Sequence, residues 1–254
     1  MAFKHSFSHL TLSQVEQAAR NNAIWCDTIC RTHGAPGEFH ADVWFNRNPV
    51  PRFYPNVVTL SNQRPLAAQL AHVQELVAAI LPDHWAIKDS FGELDLAVLA
   101  FQLYFEAHWI WRAPSAPLPK VHDHSIQWVR LQDQPQLTQW ESAWSGNPIG
   151  HSATPQPLLF LPALLVDPDV AFIAAYQGSA LIAGAIANRT EPVVGLSNLF
   201  APAEDSVSFW AGCVATAHAT FPGLPLVGYE SGVDLSHAEA VGFEKLQSLR
   251  VWGR

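Results

Sequence analysis

The chain has 254 residues, 49% of them hydrophobic and only 14% charged, with ten Trp and fourteen Phe, a composition that excludes a disordered chain and leaves room for one large domain or two smaller ones. Its formal net charge is -8 and its 14 Lys and Arg never form a run, which excludes an electrostatic footprint for nucleic acid or an anionic membrane. The longest apolar runs, such as "LLFLPALLV" with Pro162 inside it, fall short of the ~20 residues a membrane helix needs.

The first segment, "MAFKHSFSHLTLSQVEQAAR", has no uninterrupted apolar core and no small-residue cleavage site, so it does not read as a signal peptide and a cytoplasmic protein is expected. Cys26 and Cys30 lie four apart on a helix ahead of His33, and Cys213 is far away. Reduced thiols are expected, and the pair reads as buried helix residues rather than the start of a metal site, because no second ligand pair follows. Gly34 to Gly37, "GAPG", reads as a turn with no helix after it to make a phosphate loop.

"YPNVVTLS" (Tyr54–Ser61) predicts a strand. "RPLAAQLAHVQELVAAILP" predicts a helix with Leu66, Leu70, Val73, Val77 and Ile80 on one face and Pro65 in the first turn. "HWAIKDSFGELDLAVLAFQLYFEAHWIWR" predicts a strand, a short helix and a returning strand, whose aromatic residues Tyr104, Phe105, Trp109 and Trp111 read as core. Pro114, Pro117 and Pro119 mark residues 113–124 as a connector, with His122, Asp123 and His124 either a metal-binding cluster or, as favoured here, a solvated linker.

Beyond it come the strand "SIQWVRLQ", the helix "DQPQLTQWESAWSG", and the strands "VAFIAAYQ" and "ALIAGAIANR" around the turn residues Gly178 and Ser179. "PVVGLSNLFAP" predicts a further strand and "DSVSFWAGCVATAHATF" a helix capped by Asp205 or Ser206, with Val207, Trp210, Ala211, Val214, His218 and Phe221 along one stripe. His218 reads as a core or interface histidine. The strand "LVGYES", the helix "DLSHAEAVG" and the strand "FEKLQSLRVW" complete the order. Asp89-Ser90 and Glu230-Ser231, Asp95-Leu96 and Asp234-Leu235, Phe101 and Phe243, and Trp111 and Trp252 make the second half a diverged copy of the first.

This order resembles the GNAT superfamily of N-acetyltransferases. "SALIAGAIANR" looks like its third strand, "GLSNLFAP" like its fourth strand ending in Pro, and "DLSHAEAVGFEKLQSLRVW" like its fourth helix, Gly-Phe pair and closing strand. The resemblance covers residues 125–254, and more faintly residues 7–112. It implies an α/β (α+β) fold of two tandem units, each a mixed, mostly antiparallel sheet flanked by helices: residues 1–112 as a degenerate N-terminal unit, 113–124 as a Pro-rich linker and 125–254 as the C-terminal unit. It also implies acetyl-CoA as cosubstrate and a small-molecule amine as acceptor, in a monomer or homodimer, with polyamines, aminoglycosides or free amino compounds the acceptors that an acidic protein would attract.

In that family two parallel strands splay apart and a helix N-terminus faces the pyrophosphate. Leu199, Phe200, Ala201, Ser206, Val207, Ser208 and Gly212 are the residues this assigns to the cofactor. The loop "AEDSVSFWAG" departs from the family's glycine-rich form, with Glu204 and Asp205 repelling phosphate and Phe209 and Trp210 in place of small residues. "SNQRPLA" in the first half has Arg64 but no glycine. The leaving-thiolate Tyr of the fourth helix is missing from "HAEAVGF". Glu230 is the candidate general base, with Tyr229 and Asp234 beside it, or else a strand-end carboxylate in water or capping the next helix. Ser197 and Asn198 either face the substrate or satisfy strand neighbours. The second function class consistent with these departures is a catalytically inactive GNAT-like binding or scaffold protein, its cleft filled by Phe209 and Trp210.

Overall fold

The structure, a computed structural model, describes residues 12–79, 85–121, 125–146 and 157–254; His122, Asp123, His124 and Ile80 lie outside them. Helix α1 (Gln14–Thr32) starts at a reciprocal cap, with Ser13 Oγ accepting the Glu16 amide at 3.2 Å and the Glu16 carboxylate accepting the Ser13 amide at 2.9 Å. Short strands β1 (Glu38–Phe39), β2 (Val43–Phe45) and β3 (Val57–Thr59) lead to α2 (Leu66–Ala79) and β4 (Ala86–Asp89). A 3-10 turn at Leu96–Leu99 follows, and then the long β5 (Gln102–Arg112).

The second half runs β6 (Ile126–Arg130), α3 (Gln134–Ser145), β7 (Val170–Gln177), β8 (Ala180–Thr190), β9 (Val193–Phe200), α4 (Ser206–Thr220), β10 (Leu226–Glu230), α5 (Gly232–Ala240) and β11 (Glu244–Gly253). These follow the expected order closely. Among the described residues the strands form one sheet in the order β1-β2-β3-β4-β11-β5-β10-β9-β8-β7-β6. Only β3 with β4 and β9 with β10 run parallel; every other neighbouring pair is antiparallel. The mixed, mostly antiparallel sheet flanked by helices is the fold class that the sequence implies.

The centre of the sheet holds the feature that local sequence signals do not carry. Strand β5, which precedes the Pro-rich segment, lies between β10 and β11, and β11 lies between β4 and β5. Each half therefore supplies a strand to the other. Buried Arg112 at the end of β5 fixes the segment that follows, donating to the carbonyls of Val241 at 3.0 Å and of Pro117 at 2.5 Å.

Helices α1 and α3 cover one face of the sheet, where Ala18, Ala19 and Trp109 pack with Val193 and Val227, and Trp140 packs with Phe160 and Phe172. On the other face α4 and α5 pack Trp210, Val214 and Ala238 on Val194, Leu196 and Leu226, and α2 packs Val73 and Val77 on Phe45 and Ile87. Two stripe residues depart from the expected pattern: Leu66 and Val207 are exposed, because each lies in the first turn of its helix, beyond the sheet it covers. All three cysteines are unpaired and buried. Tyr104 and Phe105 correct another expectation. They are exposed, unlike Trp109 and Trp111, because the first half of β5 runs beyond the cover of α1.

Candidate active site

Strands β9 and β10 pair in register only at Val194 with Leu226 and at Gly195 with Val227, and then part. One extra residue on β9 causes the divergence: Ile186 faces Ser197 and Gly184 faces Phe200, so a bulge sits at Asn198, whose φ is +53°. Gly195 keeps the floor low, since a Cβ there would strike the side chains of Asn21 and Asn188. Gly228 does the same on β10, where a Cβ would stand 2.6 Å from the Leu196 carbonyl.

The gap that opens is a cavity of about 290 Å³ bordered by Ser197, Asn198, Leu199, Val227, Tyr229 and Glu230. Helix α1, from the far end of the chain, roofs it. Buried Asn21 ties α1 down by donating to the Asn188 carbonyl at 3.0 Å and to Thr190 Oγ1 at 2.8 Å. The gap continues into a larger cavity of about 540 Å³ that shares Asn22, Trp25, Ser197, Asn198 and Tyr229 with it. Thus Ser197, Asn198, Leu199, Tyr229 and Glu230 are brought together at one opening.

Glu230 ends β10, partly buried. Burial first, and then the neighbouring charge of Asp234, pushes its carboxyl from 4.5 up to about 8. Asp234 itself lies in the first turn of α5, exposed and outside the cavity wall, 3.6 Å from His237. Tyr229 points to the α1 face, its ring edge-on to Trp109 at 5.6 Å between centroids. The repeated acid in the first half is a different object: Asp89 is buried and accepts the amides of Phe91 at 3.2 Å and Leu94 at 2.8 Å, a purely structural loop anchor.

The loop into α4 corrects the expected capping. Asp205 has a left-handed backbone (φ +61°) and its side chain makes no cap hydrogen bond; its carbonyl accepts the amides of Ser208 at 2.8 Å and Phe209 at 3.3 Å. Ser206 Oγ instead turns back to the carbonyls of Pro202 and Ala203. Glu204 and Asp205 are exposed. Gly212 is buried within α4, where the space that a Cβ would fill is taken by the Trp128 ring, so its smallness serves packing rather than a phosphate loop. Phe209 and Trp210 face the sheet, against Ala175 and Ala183 and against Phe243. They do not fill the gap between β9 and β10. In the first half Arg64 is held by Asp42 at 3.3 Å.

Sequence reasoning missed Lys88, Asn21, Asn22 and Trp25. Lys88 lies mid-strand in β4 and is only 4% exposed; its ammonium donates to Asn22 Oδ1 at 2.8 Å and stands 4.2 Å from the centre of the Tyr229 ring. A lysine directly after the apolar run "WAI" in a strand is the signal that could have found it. Phe53, at φ +71° and 75% exposed, stands at the mouth of the larger cavity with its ring edge-on to Trp144 at 5.8 Å. A bulky residue in that backbone region is strained, and such strain collects at ligand sites.

No family model matches the chain, and no curated protein matches it by sequence. Solved structures do match in fold. They include a GCN5-related N-acetyltransferase from Kribbella flavida, with a TM-score of 0.63 at 10% identity over 96% of each chain. A GNAT-family protein from Novosphingobium aromaticivorans gives a TM-score of 0.55 at 11% identity over 92% of this chain and 97% of that one. A tandem GNAT protein from the clavulanic acid biosynthesis pathway gives 0.52 at 11% identity over 95% of each. Among the described residues no helix is long and apolar enough to cross a membrane. With its sheet parted at β9 and β10 and a helix between the two strands of each parallel pair, the chain has the fold of the GNAT acetyltransferases.

Proposed function

We propose that this protein is an acetyl-CoA-dependent N-acetyltransferase acting on a small amine, with the cosubstrate held by the second half and the acceptor pocket shaped by both. The observation that carries this reading is the open gap between β9 and β10 with the Asn198 bulge on one side and Glu230 on the other. Parted strands leave backbone amides and carbonyls free to pair with an amide-rich arm, and Leu199, Phe200 and Ala201 are the residues assigned to it. The amides of Ser206 and Val207, at the start of α4, are the groups that would face a pyrophosphate, whereas that of Ser208 already donates to the Asp205 carbonyl. Acetyl-CoA supplies the activated acyl group.

Glu230 takes the proton from the acceptor ammonium, directly or through water, a task suited to a carboxyl that titrates near 8. Burial, and then Asp234 from outside the cavity, hold that value up, and Tyr229 forms the wall between the two cavities. Titration with acetyl-CoA by calorimetry, followed by an amine screen that detects released thiol, tests the proposal. Heat of binding and thiol release support it; no heat and no thermal shift at millimolar acetyl-CoA would overturn it.

The inactive binding-protein reading draws on Glu204 and Asp205 beside α4 and on an α5, "GVDLSHAEA", that carries no tyrosine. Against it stands the gap itself, which Phe209 and Trp210 leave open. Cosubstrate binding without thiol release for any amine would favour it.

A further inference from the structure

The larger cavity, of about 540 Å³, is within the size range of pockets that enclose a small organic molecule. Its walls are mostly apolar and aromatic, with Trp25, Phe53, Tyr54 and Tyr104 from the first half and Trp144 from the second. Among the described residues that line it, Lys88 is the one charged side chain and no carboxylate is present. That lining is wrong for a polyamine or an aminoglycoside, which need acids around each ammonium.

Lys88 is nearly inaccessible, and among the described residues no acid forms an ion pair with it. Among the described residues its charge is met only by the Asn22 side-chain oxygen and the Tyr229 ring face. An ammonium has three donors, and buried charges are ordinarily paired. An anion is the group that would pair with this ammonium.

We infer that the molecule taken by this cavity carries a carboxylate together with its amine on an aromatic or large apolar body, an amino acid in chemical class, and that Lys88 recognises the carboxylate. Calling that molecule the acceptor rests on the transferase reading; the binding site rests on the cavity alone. The aromatic walls take the body. The amine is directed toward Ser197, Asn198 and Tyr229, the wall shared with the gap that Glu230 borders.

The test needs no cosubstrate. Calorimetry on the whole chain compares L-phenylalanine, 3-phenylpropionate, which lacks the amine, and phenethylamine, which lacks the carboxylate. Both carboxylates should bind roughly 10- to 100-fold tighter than phenethylamine, the worth of a hydrogen bond to a charged group. Lys88→Met, which keeps the length of the stem, should erase that preference, with its melting temperature showing that the variant is folded. The ranking on the unmodified protein decides by itself if the variant does not fold. Phenethylamine binding as tightly as the carboxylates, no binding of any probe at millimolar concentration, or a preference that survives in a folded Lys88→Met variant would each overturn the inference. A carboxylate preference without acetyl-CoA binding would sink only the transferase reading, and acetyl-CoA binding without the preference only this one.

Discussion

The side-chain oxygen of Thr59 accepts the backbone N–H of Ser90 at 2.8 Å, a bond that joins the ends of the parallel strands β3 and β4 just beyond their last paired residues, Val58 and Lys88. Past the last pair of β9 and β10, Ser197 and Tyr229 instead border a cavity. The first half has the same strand arrangement with its gap tied shut, and the carbonyl of Ser90 is further engaged by Trp109 Nε1 at 2.7 Å.

Acetyl-CoA should therefore bind as a single molecule per chain, in the second half. Calorimetric stoichiometry checks this, together with amide exchange, where protection on ligand addition should appear in β9, β10 and the start of α4. Protection centred on β3 and α2 would place the ligand in the wrong half.

Glu230 gives the prediction on pH. A base must be ionised to act, so kcat/KM should rise with pH and level off above about 8. Glu230→Gln should lower kcat roughly 10²- to 10⁴-fold, the usual worth of a general base, and remove that limb. The charges around it are Asp234 on α5, which raises its pKa, and His108 opposite on β5, whose own pKa is drawn down by burial and then by Lys245.

Stability follows with the opposite sign. The folded carboxyl keeps its proton up to about 8 while the unfolded one releases it near 4.5, so this group's contribution falls as pH rises between those values. Glu230→Gln should gain in melting temperature over the native protein across that window, and the gain should level off above it. A pH-independent difference would refute the buried-carboxyl account.

Asp205 separates backbone from side chain. With φ +61° and no side-chain cap bond, its cost is conformational. Asp205→Ala should lose about 1 kcal/mol, because an alanine in the left-handed region is strained. Asp205→Gly should stay within ~0.5 kcal/mol of the native protein, because relieved strain offsets the extra freedom of the unfolded chain. Both should bind acetyl-CoA at least as well, since a negative charge leaves the helix start. Thermal denaturation that ranks Ala with the native residue, or above Gly, would contradict this.

Much of this fold is legible from periodicity, because each helix stripe and each strand is set by its own residues. Tyr229 and Glu230 could be picked out because they stand where a strand ends and chemistry is accessible, and Ser197 and Asn198 because they are the polar pair inside the strand "VVGLSNLF". What the sequence hides is long-range. Nothing near Lys88 says that Tyr229, on a strand far along the chain, will lie over its ammonium, and nothing near Gly212 says that Trp128 will fill the space beside it. The left-handed turn at Asp205 is hidden for another reason: a capping residue and a left-handed one have the same composition, since Asp serves in both.

The same long-range pairing yields the last prediction. Strand β11 pairs only with β4 and β5, and β10 pairs with β5 on one side, so the second half without the first leaves both edges of β11 and one edge of β10 unpaired. Unpaired strand edges invite aggregation. Residues 125–254 expressed alone should be insoluble, even though they carry both strands that border the proposed cosubstrate gap. A protease site placed between Pro117 and Val121, past the carbonyl that Arg112 holds, should be cut without releasing the halves, because β5 remains locked between β10 and β11. Native gel filtration of the cut protein should then give one peak of unchanged size, and denaturing electrophoresis two fragments. Recovery of 125–254 as a soluble monomer with a cooperative melt would show that the two halves are independent units and that the exchanged strands are dispensable.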